Sequence, residues 1–269
     1  MLIQAGFHIA FECPKPTPML LQLNIDPARA SDLRSPDIIS SDPPLPMTAY
    51  FDLFGNRVTR LEAPAGLVTF HNRFLIEDSG RPDETPQDTE FTPIARLPDD
   101  VLLYLVSSRY CDSDNLADFA WKQFGGHAGG YGRVRAICDF VHSHIQFSYA
   151  DARPTRSASD SMREINGVCR DYAHLAIALC RCMNIPARYC TGYLGDIGVP
   201  IDPNPMDFSA WFEVFLDGRW YTMDARHNHP RIGRIVMCRG RDAADVAIST
   251  AFGLAKLARF EVLTEEQRQ

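Results

Sequence analysis

The sequence predicts an α+β protein with two parts: an N-terminal β-sandwich-like domain over residues 1–95, then a core domain over 96–269 in which a helix packs on an antiparallel sheet. Three observations carry this. Through the first part, apolar residues alternate with polar ones or cluster with β-branched and aromatic neighbours, between Pro/Ser-rich connections. From Leu97 the apolar spacing turns helical. After Pro186 strand-like segments return, one of them folding back at an Asp-Gly dipeptide.

In order along the chain, MLIQAGFHIAFECPKP alternates Phe7, Ile9 and Phe11 and reads as a first strand. It has no basic leading region and carries His8 and Glu12 among its apolar residues, so it does not read as a secretory signal. LLQLNID, from Leu20, sets Leu21, Leu23 and Ile25 against Gln22, Asn24 and Asp26, the pattern of a half-buried strand. AYFDLFGNRVTRLEA is expected to turn at Gly55–Asn56 and to pair Leu53 with Val58. GLVTFHNRFLIE gives a further strand, and DSGRPDETPQDTEFTP (78–93) is a polar, proline-dotted linker candidate. LPDDVLLYLVSSRYC, DNLADFAWKQFG and GRVRAICDFVHSHIQF are then amphipathic, the last with Val134, Ile137, Cys138 and Val141 on one face. His142 and His144 near its end read as favourable C-terminal charges or surface residues.

With 45% hydrophobic and 23% charged residues over 269 positions, the chain has the composition of a globular protein with an ample core. A net charge of −7 argues against nucleic acid or an anionic membrane as the main partner. No apolar run approaches the roughly 18–20 residues that cross a bilayer. Eight scattered cysteines form no disulfide framework, which favours a reducing cytoplasm. Cys180 and Cys182, two apart on a helix, point to opposite sides and cannot grip one metal ion. No nucleotide motif, calcium loop or cofactor signature is present, so no cofactor and no metal are expected.

Two stretches bear the chemistry. In INGVCRDYAHLAIALCRCMNIPARYCTGY, from Ile165, the residues Tyr172, Leu175, Ala176, Leu179, Cys182 and Met183 share a helical face. Asn166 is the expected N-cap, and Asn184 with Pro186 the stop. Cys169 therefore falls at the positive end of the helix, where a thiolate is favoured and the thiol pKa drops; the alternative is a small core residue. In MDFSAWFEVFLDGRWYTMDARHNHP, a turn at Asp217–Gly218 pairs Leu216 with Arg219, Trp211 with Asp224 and Ser209 with Arg226, leaving Ser209 and Asp224 diagonal neighbours. A carboxylate at such a core-facing position needs a partner. Asp224 is thus either half of a structural ion pair, for instance with Arg226, or the residue that orients a catalytic base.

GVCRDYAHLAIALCRCMNIPARYCTGYL followed by DFSAWFEVFLDGRWYTMDARHN resembles the transglutaminase-like superfamily of papain-type thiol enzymes, over residues 97–240 or so. The N-terminal region is similar to the β-domain that often precedes bacterial members. The resemblance implies a transglutaminase/papain-like core, with Cys169 as nucleophile and Asp224 orienting a general-base histidine. The family's histidine stands immediately before Ala-Trp, and here that position is Ser209, which cannot take a thiol proton near neutrality. Among the replacements, His227 is the candidate base; His174 reads as a hydrogen-bonded core residue and His229 as part of an exposed turn. Two functions follow. The first is a thiol enzyme acting on amide bonds of a peptide or protein through an acyl-thioester, with hydrolysis favoured over cross-linking because water is always present. The second is a catalytically silent peptide-binding or scaffold protein, which the loss of the histidine favours.

Overall fold

The computed structural model describes residues 1–86 and 89–267. Its N-terminal strands are β1 (Leu2–Cys13), β2 (Thr17–Leu21), β3 (Ser40–Asp42), β4 (Thr48–Phe51), β5 (Arg57–Ala63) and β6 (Gly66–Glu77). The middle holds α1 (Asp99–Leu102), α2 (Ala117–Phe124), α3 (Gly130–His144), β7 (Gln146–Phe147), α4 (Ala158–Glu164), β8 (Asn166–Gly167) and α5 (Cys169–Cys182). The strands β9 (Ala187–Tyr193), β10 (Ser209–Leu216), β11 (Arg219–Met223), β12 (Ile235–Gly240), β13 (Ser249–Ala251) and β14 (Lys256–Glu266) complete the chain. Mixed α+β architecture, strand-rich first and helical afterwards, is what the sequence predicts.

Three four-stranded sheets result, ordered β14-β1-β6-β3, β13-β2-β5-β4 and β11-β10-β9-β12. The division at residue 95 assigns β13 and β14 to the core, yet they pair antiparallel with β2 and β1 and close the two N-terminal sheets. The physical reason is non-local. β1 buries Ile3, Ala5, Phe7 and Ile9, and as a central strand it needs a neighbour on each edge. Linear sequence order does not display which distant segment supplies it. Nor is the hydrophobic core divided, since Phe74 meets Tyr193 at 5.6 Å and Phe7 meets Phe208 at 6.3 Å between ring centroids.

Two local expectations also change. The β4–β5 hairpin pairs Tyr50 with Val58, and Leu53 stands exposed at the tip. Asp52 explains this: its Oδ1 accepts from the Phe54 and Asn56 amides at 2.8 and 2.9 Å, stabilising a longer loop than a two-residue turn. β2 ends at Leu21, and beyond it Asn24 is buried because it donates to the Asp37 carboxylate at 3.1 Å. The long helices match: α3 buries Val134, Ile137, Cys138 and Val141, and α5 packs on β9 and β10. Among the described residues, no helix is long and apolar enough to cross a membrane.

Candidate active site

The start of α5 is built before Cys169 is placed. α4 opens with a reciprocal cap, Ser157 Oγ accepting from the Asp160 amide at 3.3 Å while Asp160 accepts from the Ser157 amide at 3.2 Å. It closes at Ile165, left-handed at φ 60°. Gly167 is required next, because a Cβ there would stand 2.7 Å from the Cβ of Asp171. Asp171 occupies that space, its Oδ2 accepting from the Val168 amide at 2.9 Å and from Arg156 Nη1 at 3.0 Å. Val168, not the expected Asn166, is therefore the cap residue; Asn166 accepts from Arg156 at 3.1 Å instead. Cys169 is the first helical residue and is half-buried.

The backbone N–H groups of Ala210 and Arg170 lie near the Cys169 sulfur and favour its thiolate. Burial nonetheless pushes its thiol up to about 11, with Arg226 opposing and Asp207 reinforcing the rise. The expected depression does not occur. Desolvation of the thiolate in this recess outweighs the helix end.

The β10–β11 hairpin turns at Asp217–Gly218 with φ of 47° and 80°, the pair of left-handed residues a type I′ turn demands. Its register runs as expected from Leu216–Arg219, but stops at Phe212–Met223. Asp224 and Arg226 thus never join the ladder opposite Trp211 and Ser209. The chain instead makes a helical turn: the Asn228 amide donates to the Asp224 carbonyl at 2.9 Å. Asp224 Oδ1 accepts from the Arg226 and His227 amides at 2.9 and 3.0 Å. This turn returns the His227 ring to the carboxylate, Nδ1 to Oδ2 at 2.8 Å.

The buried partner of Asp224 is Arg234, Nη2 to Oδ2 at 2.8 Å, while Arg226 stacks 4.0 Å above the Phe147 ring. Arg234 also donates through Nε to Asp83 at 2.8 Å, so the segment expected to be a linker is tied to the site. Sequence reasoning missed both residues; the available signal was the unmet need of Asp224 for a cation, with RIGR close behind it. Burial pushes the Asp224 carboxyl up, but the Arg234 charge and the His227 hydrogen bonds prevail and hold it well below the usual carboxylate range.

Helix α3 grips the turn from behind. His142 Nδ1 donates to the Arg226 carbonyl at 2.8 Å, and Asp139 accepts from Asn228 Nδ2 at 2.8 Å. His144 Nε2 bonds the Met162 carbonyl at 2.9 Å. These rings latch backbone rather than merely carrying surface charge. His174 is fully buried, stacked on Tyr110 at 5.2 Å, with Nε2 accepting from the Ala243 amide at 3.1 Å; burial pushes its pKa well down, so it stays neutral. His229 is exposed.

Ser209, Arg226 and His227 line one cavity of about 140 Å³. Ser209 is the residue before Ala210, whose amide lies near the Cys169 sulfur, and its own Oγ is buried without a partner among the described residues. Ser209 and His227 thus share one recess, with Asp224 behind the imidazole, while Cys169 is not among its lining residues and lies near the Ala210 amide next to Ser209. Among the described residues no three His, Cys, Asp or Glu side chains form a group able to hold a metal ion.

A half-buried thiol at the start of a helix packed on an antiparallel sheet, with an imidazole–carboxylate pair just past that sheet's hairpin, is the arrangement of the papain-like class of thiol-enzyme folds. Residues 118–225 match the transglutaminase-like superfamily. Over 100% of its length the chain is 30% identical to a candidate cysteine protease from Cytophaga hutchinsonii, covering 91% of that protein's crystal structure with a TM-score of 0.87. Over 120 residues it is 31% identical to an uncharacterized protein of Mycobacterium leprae, 42% of each chain. Over 99 residues it is 30% identical to the kyphoscoliosis peptidase of Homo sapiens, 35% of this chain and 15% of that protein. The matched stretches span less than half of these last two proteins. The chain belongs to the transglutaminase-like superfamily.

Proposed function

We propose that the protein is a thiol enzyme that hydrolyses amide bonds in a peptide or protein, with Cys169 as nucleophile, His227 as general base and Asp224 as the residue that orients it. The observation that carries this is the 2.8 Å bond between His227 Nδ1 and Asp224 Oδ2. It supplies an oriented imidazole on the recess where Ser209 has replaced the family's histidine. The bond sets the tautomer: Nδ1 keeps its proton toward the carboxylate, and Nε2 is free to take the thiol proton. A raised thiol pKa fits this division of labour, because a neutral resting thiol needs a base at the moment of attack. The sulfur then bonds to the carbonyl carbon, the C–N bond breaks, and the imidazolium returns its proton to the leaving amine. Water adds to the thioester, giving up a proton to His227, and the released acid leaves Cys169 as a thiol again. Eight unpaired thiols support a reducing, cytoplasmic setting.

The silent peptide-binding alternative draws on one observation, Ser209 in the histidine position. Mass spectrometry of a denatured, casein-digest peptide pool incubated with wild type, Cys169→Ala and His227→Ala decides between them. New termini or deamidated glutamines with wild type alone support the enzyme. Identical peptide profiles from all three proteins leave only the binding role.

A further inference from the structure

We propose that the cavity beside Ser209 is a subsite for a cationic side chain, lysine or arginine, of the peptide substrate; calling the occupant a substrate rests on the thiol-enzyme reading above. The walls carry three carboxylates, Asp196, Asp202 and Asp207, against two arginines, Arg226 and Arg231. Arg231 is engaged by its neighbours, and Arg226 makes no ion pair among the described residues. Arg231 sits 3.7 Å from Asp196 and donates to the Gly195 carbonyl at 2.9 Å, and Arg226 stacks on Phe147. Among the described residues the Asp202 carboxylate accepts only from Asn204, backbone and side chain, at 3.0 and 2.8 Å. Asp207 is half-buried, and among the described residues it makes no ion pair. Burial raises its carboxyl through lost water, which the Phe208 backbone and the charge of Arg226 offset in part.

A row of acids alone would be a solvated rim. The second observation is Ser209, 6% exposed, which lines the same cavity with an Oγ that has no hydrogen-bond partner among the described residues. Buried hydroxyls are normally satisfied, so this one is set to receive a donor from a ligand. An ammonium or guanidinium group supplies such a donor together with the charge that Asp207 lacks. Leu194, Ile201 and Phe208 on the walls suit the aliphatic stem. A volume of about 140 Å³ admits one side chain, on the scale of a cavity that takes up a benzene ring.

The test uses three fluorescein-labelled octapeptides built around Gln-Gly, identical except for Lys, norleucine or Glu on both sides of the glutamine. Binding is read by anisotropy on Cys169→Ala protein and turnover on wild type. The Lys peptide should bind about tenfold more tightly than the norleucine peptide, and the preference should shrink severalfold at 1 M salt. Asp207→Asn should bring Lys and norleucine within about twofold of each other. Asp202→Asn, at an exposed position, gives a partial loss and guards against a folding defect in the first variant. Equal binding of all three peptides overturns the proposal. Lys-selective binding without any turnover by wild type supports the subsite while defeating the thiol-enzyme reading. Equal cleavage of all three peptides does the reverse. If Asp207→Asn abolishes incorporation of added cadaverine but leaves the Lys preference intact, the cavity is an acceptor-amine site and the proposal fails.

Discussion

Asp171 and Asp224 pose the same electrostatic problem and meet it in different ways. Both side chains are almost wholly buried, and each has a buried arginine, Arg156 and Arg234, at 3.0 and 2.8 Å. Asp171 uses its remaining capacity on the Val168 amide and so fixes the start of the helix that carries Cys169. Asp224 uses its own on the amides and ring of a helical turn, and the ring faces a cavity. Burial of a carboxylate therefore does not mark a catalytic acid. The mark is a titratable third group placed where a substrate can reach it.

The comparison can be broken at several points. The largest expected effect is on chemistry: His227→Ala should lower peptide turnover about 10²–10⁴-fold with the fold intact, since this ring is half-buried. Wild-type rates in that variant would put Asp224 on the same structural footing as Asp171. Next come the arginines. Arg156→Met and Arg234→Met each take the nearer arginine from a buried carboxylate, leaving Asp171 with Arg170 at 3.5 Å and Asp224 with the His227 ring, and should cost up to about 3–5 kcal/mol in urea denaturation.

The depressed Asp224 carboxyl adds a pH signature. Its stabilising contribution is present above the unfolded carboxyl pKa, near 3.9, and is lost as pH falls through the lower folded value. The stability gap between wild type and Arg234→Met should therefore narrow below about pH 4. A gap that widens on acidification removes the Asp224–Arg234 pair as its cause.

Gly167→Ala tests the Asp171 side by geometry. Its Cβ would meet Asp171 at 2.7 Å, and the expected loss is about 1–3 kcal/mol with a displaced helix start. An unperturbed melting temperature would show that the backbone yields more easily than the contact implies. The smallest effect concerns the thiols. Cys169 and Cys182 are the two half-buried cysteines, each raised to about 11, so iodoacetamide should label them before the others and faster as pH rises toward 11. Prior labelling of Cys111 or Cys238, both pushed up to about 12 and buried, would show that the recess is closed in solution.

Local patterns carried the elements that depend on neighbours in sequence. The period of 3.6 placed α3 and α5, alternation placed β1 and β6, and Asp217–Gly218 placed a hairpin whose register holds for five pairs from Leu216–Arg219 to Phe212–Met223. Cys169 at the first turn of its helix, and the demand of Asp224 for a partner, were legible for the same reason: periodicity and the cost of burying charge are properties of short stretches. Tertiary structure decided the rest. The closing of the N-terminal sheets by β13 and β14 and the reach of Asp83 into the site join residues far apart in the chain, and the choice of Arg234 over Arg226 depended on where the ladder ended. The thiol pKa also belongs to this class, because desolvation depends on what covers the sulfur and no helix position reveals it. His227 lay between the two: its spacing from Asp224 was visible, but only the end of the ladder at Met223 let the chain turn and bring the ring back.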